Sequence, residues 1–316
     1  MEDAKKKIPV ILDTDIGGDI DDSWALVMLL NCPEFDVKMI LTNEEEESFY
    51  KAKITAKFLE TAGRTDIPIG AGSPTWDMRG KMTNQAQWVR DFDLSKYPGA
   101  FRADGIKAMT ECIIKAPEAI TVIAIGPLGN LGAALDMSPE ITRKAKVVGM
   151  QGSIRKGYFG ADTPSAEYNV CHRRDCSQKV FSADWDITIT PLDTCGNIFL
   201  KADKYRRILE CQTPLIKALM ENYRIWADAA AGGGRPDVYP GIYREQSTLL
   251  PDPAAVYLAM SEDFVNIEEL GVEVTAEGFT RVNPSAKIIR CATSWKDYDS
   301  FENLLVERLV MEKKLL

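Results

Sequence analysis

Residues 8–30, IPVILDTDIGGDIDDSWALVMLL, join an apolar strand to an apolar helix through a loop crowded with aspartate. Ile8–Leu12 is a short apolar run and predicts a buried β-strand. Trp24–Leu30 is apolar on nearly every side, so it predicts a buried helix. We expect this helix to end at Cys32-Pro33, because the residue before a proline disfavours helical backbone. The stretch is therefore typical of a βα unit.

Short apolar runs and amphipathic runs continue to alternate as far as residue 200. The runs with the spacing of strands are Val37–Leu41, Ile67–Ile69, Ile120–Ile125, Val147–Met150 and Trp185–Pro191. The runs with the spacing of helices are Ser48–Ala62, Gly105–Lys115, Gly126–Leu135 and Arg173–Ser182. Such alternation predicts an α/β fold with an open, mostly parallel β-sheet and helices on both faces, which is a Rossmann-like arrangement.

Beyond residue 200 the pattern changes, and small C-terminal strands and helices are predicted. The helices are Lys201–Ala229, broken near Thr213-Pro214, with Asp252–Met260 and Tyr298–Glu312. The strands are Val272–Val274, Thr280–Val282 and Lys287–Arg290. The glycine-rich residues 229–240 predict a flexible loop. Because neither a repeat nor a low-complexity linker occurs, we expect one domain over residues 1–316, with a second small C-terminal unit as the alternative.

Composition and charge exclude several classes of protein. Of the 316 residues, 45% are hydrophobic and 27% charged, which is globular rather than disordered composition. The net charge of −9 argues against binding to nucleic acid or to an anionic membrane surface. No apolar run approaches the ~20 residues of a membrane span. Seven cysteines without CxxC spacing indicate a reducing, cytoplasmic compartment, and a single histidine excludes a multi-histidine metal site.

The loop after the first strand carries five carboxylates within ten residues. They are Asp13, Asp15, Asp19, Asp21 and Asp22. Ligands of parallel sheets bind at the carboxyl ends of strands, and like charges crowded there repel unless a cation neutralises them. Oxygen ligands in an irregular loop suit Ca²⁺ best. The alternative is an Asp/Gly-rich turn in which Asp21 or Asp22 only favours the helix N-terminus.

Two other chemistries that follow a first strand fit this loop less well. Phosphatases of the haloacid dehalogenase type place DxDx(T/V) there, but the fifth position here is Gly17 and no matching acidic pair follows downstream. Neither a phosphate-binding P-loop nor a GxGxxG motif follows the strand, so an enzyme acting on nucleotide phosphates is not supported.

Four separated segments resemble the nucleoside hydrolases of the inosine–uridine-preferring type, and they keep that family's order. They are DTDIGGDIDDSWA (Asp13–Ala25), AIGPLGNL (Ala124–Leu131), TPSAEYN (Thr163–Asn169) and LPDPAAVYL (Leu250–Leu258). The resemblance implies a largely parallel α/β fold, a bound Ca²⁺ and hydrolysis of the N-glycosidic bond of ribonucleosides. It also implies a homodimer or homotetramer.

The resemblance further implies roles for individual residues. The implied metal ligands are the carboxylates of Asp15, Asp22 and Asp252 and the backbone carbonyl of Ile125. The implied sugar contacts are Asp21, Glu167 and Asn169. In this arrangement Asp15 accepts the proton of the attacking water, while Ca²⁺ holds that water and two ribose hydroxyls together. The negative charge of Glu167 would favour an oxocarbenium-like transition state.

The sequence departs from the family pattern at several positions. Two extra residues separate Asp15 from Asp21, so Asp19 could take the sugar-contacting role of Asp21. Many members carry an asparagine for the 5′ end of the ribose where this chain has Ala161. A histidine often serves as the acid for the departing base, and here that position is Pro251.

Help for the departing base is therefore expected from an aromatic side chain stacked on it. The candidates are Trp76, Trp226, Tyr239 and Tyr243. The sole histidine, His172, is expected at the surface, and the acidic run Glu44–Glu47 on a solvated face. We predict a Ca²⁺-dependent N-ribohydrolase. The alternative is a noncatalytic protein that binds Ca²⁺ and a nucleoside or other ribosyl ligand but has lost efficient turnover.

Overall fold

The computed structural model describes residues 6–43, 48–72 and 83–311, and the ten strands among these residues form one sheet. The strands are β1 (Ile8–Thr14), β2 (Phe35–Thr42), β3 (Ile69–Ala71), β4 (Phe101–Arg102), β5 (Ile120–Ala124), β6 (Ala145–Met150), β7 (Ile187–Thr190), β8 (Val265–Val274), β9 (Thr280–Val282) and β10 (Ile288–Trp295). Their order across the sheet is β4-β3-β2-β1-β5-β6-β7-β10-β8-β9. Pairing is parallel from β4 to β10 and antiparallel in the last two pairs, which confirms the predicted mostly parallel sheet.

Helices cover both faces of this sheet. Within the described residues they are α1 (Asp21–Asn31), α2 (Tyr50–Thr61), α3 (Gly105–Lys115), α4 (Gly129–Met137), α5 (Tyr168–His172), α6 (Arg174–Ser182), α7 (Leu192–Cys195), α8 (Ala202–Glu210), α9 (Pro214–Ala230), α10 (Asp252–Leu258) and α11 (Tyr298–Val310). Side chains alternate between the two faces of a strand. Accordingly, Val10 and Leu12 of β1 join the apolar cluster that buries α1, whereas Ile11 joins the cluster that buries Ile113 of α3 and Leu131 of α4.

Predicted and observed elements agree best where the pattern is strongly periodic. The helix predicted at Gly105–Lys115 and the strand predicted at Thr280–Val282 are confirmed. The segment Lys201–Ala229 is two helices, as expected, because α8 ends at Glu210 and α9 begins at Pro214. Proline is favourable at the first position of a helix, since no partner for its missing N–H is needed there.

Several strands differ from the prediction in their bounds or were not predicted, and three of them show the physical reasons. The strand expected at Ile67–Ile69 lies at Ile69–Ala71, since Pro68 has no N–H to donate to a strand ladder. The strand expected at Val272–Val274 begins at Val265, because its outer half is only partly buried and carries polar residues that read as a loop. The strand Phe101–Arg102 was not predicted, because two residues are too few to produce an alternating pattern.

The small C-terminal strands extend the main sheet through β10. This strand pairs parallel with β7 on one side and antiparallel with β8 on the other. The single domain over residues 1–316 stays a prediction. In the part of the chain that the structure describes, no helix is both long enough and apolar enough to cross a lipid bilayer.

The carboxyl ends of β1, β5 and β6 meet at one edge of the sheet and place the candidate site. Asp13 of β1 pairs with Ala124 of β5, and the Ile125 N–H donates to the Asp13 carbonyl at 2.8 Å. The next strand, β6, ends at Met150. Helix α1 begins at Asp21, directly after the aspartate loop. This edge is where ligands of parallel sheets bind.

Candidate active site

The aspartate loop, residues 15–20, is fixed by side chains from elsewhere in the chain. Three consecutive carbonyls each accept one hydrogen bond: Gly17 from the Tyr50 hydroxyl at 2.9 Å, Gly18 from the Trp226 indole at 3.1 Å and Asp19 from the Gln85 amide at 2.6 Å. Gly17 has a φ of 109°, a conformation that only glycine adopts readily. The middle of the aspartate loop is thus held in one conformation.

Three buried carboxylates face one another beside this loop. Asp21 and Asp22 lie in the first turn of α1, and Asp252 is the first residue of α10. One oxygen from each lies within 4.8 Å of the others, and none of the three residues is more than 7% exposed. The Thr14 hydroxyl donates to Asp22, and Asp21 shares a hydrogen bond with Asp252. The two helix N-termini are favourable positions for negative charge.

The carboxylate cluster, Asp21, Asp22 and Asp252, has the chemistry of a cation site. Burial raises the pKa of all three carboxyls well above its ordinary value, and repulsion from neighbouring aspartates raises it further. The donor atoms are all oxygen, as a hard divalent cation requires. A cation among them would remove the repulsion and offset the lost hydration. The residues present therefore fit the metal that the family resemblance implies.

The cluster differs by one residue from the ligand set expected from the sequence. Asp22 and Asp252 belong to both sets, but the third carboxylate of the cluster is Asp21 rather than Asp15. Asp15 lines the same cleft beside Gly126. A Cβ added to Gly126 would lie 2.7 Å from Asp15 Oδ1, so a glycine is needed there to leave room for the carboxylate.

The Ile125 carbonyl and Asn169 meet at the ends of β5 and β6. Asn169 Nδ2 donates to the Ile125 carbonyl at 3.2 Å and to the Met150 carbonyl at 3.1 Å. These two bonds fix the amide of a buried side chain that also lines the cleft. The Ile125 oxygen, the expected neutral metal ligand, keeps a second lone pair for another partner.

Glu167 is a buried carboxylate that accepts three backbone hydrogen bonds. The backbone N–H groups of Gly152, Asn169 and Val170 donate to it at 2.9, 2.7 and 3.1 Å. Glu167 is the N-cap of α5 and is 1% exposed. Burial raises its pKa to about 7, although the three hydrogen bonds act in the opposite direction.

These groups line one cleft of about 500 Å³, a size typical of small-molecule sites. One group of its lining residues carries rings, including those of Tyr158, Tyr168 and His172. A second group of lining residues is Asp19, Arg235, Leu249 and Pro251. We call the first group the aromatic end of the cleft and the second group the arginine end.

Arg235 brings a positive charge to the cleft wall. Its Nε and Nη2 donate to the two Asp237 oxygens at 3.0 and 2.7 Å, and its Nη1 donates to Asp19. Asp237 also accepts from the Thr248 hydroxyl and from the Leu249 N–H, the latter at 3.1 Å. The Asp19 carboxylate, which the sequence left open as a sugar contact, is therefore paired with an arginine.

Among the described residues, three aromatic residues expected over the base do not line the cleft: Trp226, Tyr239 and Tyr243. Trp226 is 1% exposed and lies behind the aspartate loop. Tyr239 is exposed, and its hydroxyl donates to Glu245 at 3.0 Å. Neither residue is part of the cleft wall. Trp76 and the acidic run Glu44–Glu47 lie outside the described residues.

His172 and Arg235 line the cleft although sequence reasoning gave them no role. His172, expected at the surface, is half-buried, stacks on Tyr168 with ring centroids 3.8 Å apart and lines the cleft. The i, i+4 spacing from Tyr168, the neighbour of Glu167, was the available signal. Arg235 had none, because its contacts to Asp19 span 216 positions of sequence.

Comparison with known proteins points to one family. The family model described as inosine–uridine preferring nucleoside hydrolase matches residues 10–301. A non-specific ribonucleoside hydrolase of Klebsiella pneumoniae is 30% identical over 228 residues, which are 69% of this chain and 73% of that protein. A protein of Arabidopsis thaliana named "Probable uridine nucleosidase 2" is 26% identical over 310 residues, 93% of this chain and 91% of that protein.

Solved structures confirm the fold. A plant nucleoside hydrolase superposes with a TM-score of 0.79 at 20% identity, covering 97% of this chain and 100% of that one. A purine-preferring ribonucleoside hydrolase from Gardnerella vaginalis superposes with a TM-score of 0.73 at 20% identity, covering 96% and 98%. The expected nucleoside hydrolase-like α/β fold is thereby confirmed.

Proposed function

Because this chain belongs to the inosine–uridine preferring nucleoside hydrolase family, a family of N-glycosidases, we propose that it hydrolyses the N-glycosidic bond of a ribonucleoside or a close ribosyl compound. The products would be ribose and the free base. In this reaction the bond between C1′ and the base nitrogen breaks, and a bond from C1′ to a water oxygen forms.

The observation that carries the proposal is the placement of the carboxylate cluster and Glu167 in one cleft. As the bond at C1′ breaks, positive charge develops on the sugar ring. Fixed negative groups stabilise that charge more in the transition state than in the neutral nucleoside, which is the condition for catalysis. The same negative groups would repel a phosphate, so they favour nucleosides over nucleotides.

We propose Ca²⁺ as the ion of the site. Asp15, Asp22, Asp252 and the Ile125 carbonyl would hold it, with Asp21 close enough to contribute or to bind a sugar hydroxyl. Two helix N-termini and an irregular loop supply oxygens without strict octahedral geometry, which suits Ca²⁺ better than Mg²⁺. When bound, the ion would supply positive charge that orients ribose hydroxyls and makes water more acidic.

The remaining chemistry is assigned to residues of this chain. Asp15 is the proposed general base for the attacking water, and Gly126 leaves room for its carboxylate. Asp21 is the proposed partner of a ribose hydroxyl. Glu167 and Asn169 are the proposed contacts on the opposite side of the sugar. Because backbone groups already hold both side chains, neither has to reorganise during the reaction.

Several parts of the expectation stay predictions. They are base contacts by Trp76, Trp226 and Tyr239, the homodimeric or homotetrameric state, and a cytoplasmic location. The buried position of Trp226 supports a different role, since its indole N–H fixes the Gly18 carbonyl of the aspartate loop.

Release of reducing sugar from a panel of ribonucleosides tests the proposed function. We expect ribose from at least one of them when Ca²⁺ is present, and none from an Asp22→Asn variant. The noncatalytic alternative predicts heat of nucleoside binding in calorimetry with no sugar released. Wild-type protein that binds but never releases ribose would therefore replace the enzyme proposal with that alternative.

A further inference from the structure

Arg235 lies at the cleft wall on the segment between α9 and α10, and its guanidinium is held in place from three sides. Its contacts are to Asp237, to Asp19 and, through Nη2 at 3.2 Å, to the Thr248 hydroxyl. The guanidinium also lies over the Trp226 ring, 5.6 Å from its centroid. A planar group fixed in this way keeps one orientation toward the cleft.

One N–H of this guanidinium remains for a ligand. Arginine has five N–H donors in a fixed fork. Nε uses one for Asp237, Nη2 uses two for Asp237 and Thr248, and Nη1 uses one for Asp19. The second Nη1 hydrogen is the fifth donor. Since Arg235 is part of the cleft wall and its side chain is 34% exposed, that donor is available to a molecule in the cleft.

Arg235 lies in the arginine end of the cleft with Asp19, Leu249 and Pro251. Its Nη1 donates to Asp19, and the Asp237 carboxylate that anchors it accepts from the Leu249 N–H at 3.1 Å. The attacking water and the departing base lie on opposite sides of C1′. A base that leaves on this side of the sugar therefore meets the fixed Arg235 guanidinium.

The reaction needs a donor at that end. When the C1′–N bond breaks, its electron pair goes to the base nitrogen, and the base leaves as an anion unless it is protonated or hydrogen-bonded. The attacking water gives its proton to Asp15, and the base later takes a proton from solvent. Pro251, which also lines this end, has no group that could donate.

We propose that Arg235 is a catalytic residue that donates a hydrogen bond to the departing base, at the acceptor next to the glycosidic nitrogen. This acceptor is the carbonyl oxygen of a pyrimidine or the corresponding ring nitrogen of a purine. The inference rests on the proposed function, and it extends that function to the leaving-group side of the reaction. Charge develops on the acceptor only as the bond breaks, so the hydrogen bond strengthens in the transition state.

The two aspartates around Arg235 explain how a cation is tolerated in this cleft. An isolated positive charge would repel the cationic sugar of the transition state. Asp19 and Asp237 compensate that charge, as their ion pairs with Arg235 show, while the fifth N–H stays a donor. Asp19 belongs to the extended aspartate loop, so the longer loop supplies the carboxylate that makes this arginine compatible with the reaction.

The test compares a nucleoside with an aryl riboside that carries a good leaving group. Uridine and inosine need help for the departing base, whereas 4-nitrophenyl β-D-ribofuranoside releases a stable phenolate. Arg235→Met should lower kcat/KM for the nucleosides by roughly 10²-fold, the usual effect of removing one preorganised donor. The same variant should stay within about fivefold of wild type on the aryl riboside, because that leaving group needs little stabilisation.

Three further variants separate a chemical role from a structural one. Arg290→Met, which removes an arginine paired with Glu262 at 2.6 Å outside the cleft, should leave both substrates unaffected. Asp237→Asn loosens the anchor of Arg235 and should lower nucleoside activity more than aryl riboside activity, but less than Arg235→Met does. Arg235→Lys keeps a cation and should recover part of the nucleoside activity, and it replaces Arg235→Met in the comparison if the latter does not fold.

Parallel losses on both substrates in Arg235→Met would overturn the proposal, because they would mean that Arg235 only holds the loop. An unchanged nucleoside rate in this variant would also overturn it and would place the base at the aromatic end of the cleft. Wild-type protein that hydrolyses neither substrate would instead overturn the proposed function itself, together with this role. The wild-type rates therefore distinguish the two failures.

Discussion

Glu167 and the carboxylate cluster are both buried, but only Glu167 accepts several backbone hydrogen bonds. Three backbone N–H groups point at Glu167, and the N-terminus of α5 surrounds it with partial positive charge. In the cluster, Asp21 and Asp252 bond to each other, and Asp22 accepts from the Thr14 hydroxyl. The polypeptide therefore supplies three donors to one carboxylate and leaves three other carboxylates facing each other.

This difference separates two ways of using a buried carboxylate. A carboxylate that accepts three backbone hydrogen bonds is preorganised, because its position does not depend on a bound ion. Carboxylates that repel one another at short range favour protonation until a cation replaces the protons. The first arrangement suits an electrostatic contact to the sugar, and the second suits a metal site.

The largest expected effect comes from removing the proposed ion from the carboxylate cluster by chelation. Removing the ion should lower kcat by about 10³-fold or more, since a bound cation supplies several kcal/mol of orientation and charge stabilisation. The thermal midpoint should also fall, because an ion that binds only the folded state stabilises it. Metal analysis, ribose release and melting curves measured before and after chelation check this prediction.

A substitution of Glu167 provides the control for chelation. Glu167→Gln should keep a stoichiometric ion and the same shift of melting temperature on chelation, because Glu167 is not expected to bind the metal. If chelation leaves the activity and the melting temperature of the wild type unchanged, the carboxylate cluster binds no functional ion and the Ca²⁺ proposal is wrong.

A smaller loss is expected from Asp15→Asn. This substitution keeps one oxygen in place but removes the carboxylate that would accept the proton, so kcat should fall by ~10²-fold or more. Metal content has to be measured alongside, since the lost charge also weakens a divalent ion. Asp136→Asn, at a surface ion pair with Lys179, is the matched control and should leave kcat within about twofold. An active, metal-loaded Asp15→Asn enzyme would move the base to another residue.

Much of this fold could be predicted, because the elements that the local sequence pattern favours are the ones found in the tertiary structure. The βα pattern around β1 and α1 predicts the parallel sheet and the edge at which the site lies. The crowded aspartates predict a cation site. The distant member of the cluster, Asp252, was accessible only through the resemblance, because 230 residues separate it from Asp22 and no local pattern links them. The packing of α1 against α10 brings Asp252 next to Asp22 in the folded protein.

The parts that could not be predicted depend on tertiary contacts. Nothing in the local sequence shows that Trp226 supports the aspartate loop from behind, or that Arg235 pairs with Asp19. The three N–H donors of Glu167 are also invisible, because they come from backbone whose direction is set by β6 and α5. A sequence pattern identifies residue types, whereas these functions depend on where distant backbone places them.

The next expected effect concerns the substrate. If Asp21 holds a ribose hydroxyl, a 2′-deoxyribonucleoside leaves a buried polar group of the site without a partner. Such a loss is worth about 1–3 kcal/mol, or roughly 30-fold in kcat/KM at its midpoint. Paired measurements on uridine and 2′-deoxyuridine check it. Equal kcat/KM values would be incompatible with a sugar held at the carboxylate cluster.

The smallest expected effect is on stability and uses the pH dependence of Glu167. Its pKa is raised by burial from 4.5 to about 7, so the folded protein keeps this proton to higher pH than the unfolded chain does. The stabilisation from this proton is therefore fully present below the pKa of the unfolded chain. It is lost as the pH rises through the pKa of the folded protein. Between pH 4.5 and pH 7 the free energy of unfolding should fall by about 2 kcal/mol through this group.

Urea unfolding of wild type and Glu167→Gln at these two pH values measures that difference, because the amide does not titrate. Glu268→Gln is the control. Hydrogen bonds from Arg155 lower the pKa of Glu268 to about 2, so its contribution is lost only below pH 4.5 and leaves this window unaffected. Identical pH slopes in wild type and Glu167→Gln would mean that folding does not raise the pKa of Glu167. Adding Ca²⁺ should leave the Glu167 difference in place while reducing the slope that both proteins share, since the cluster exchanges its protons for an ion.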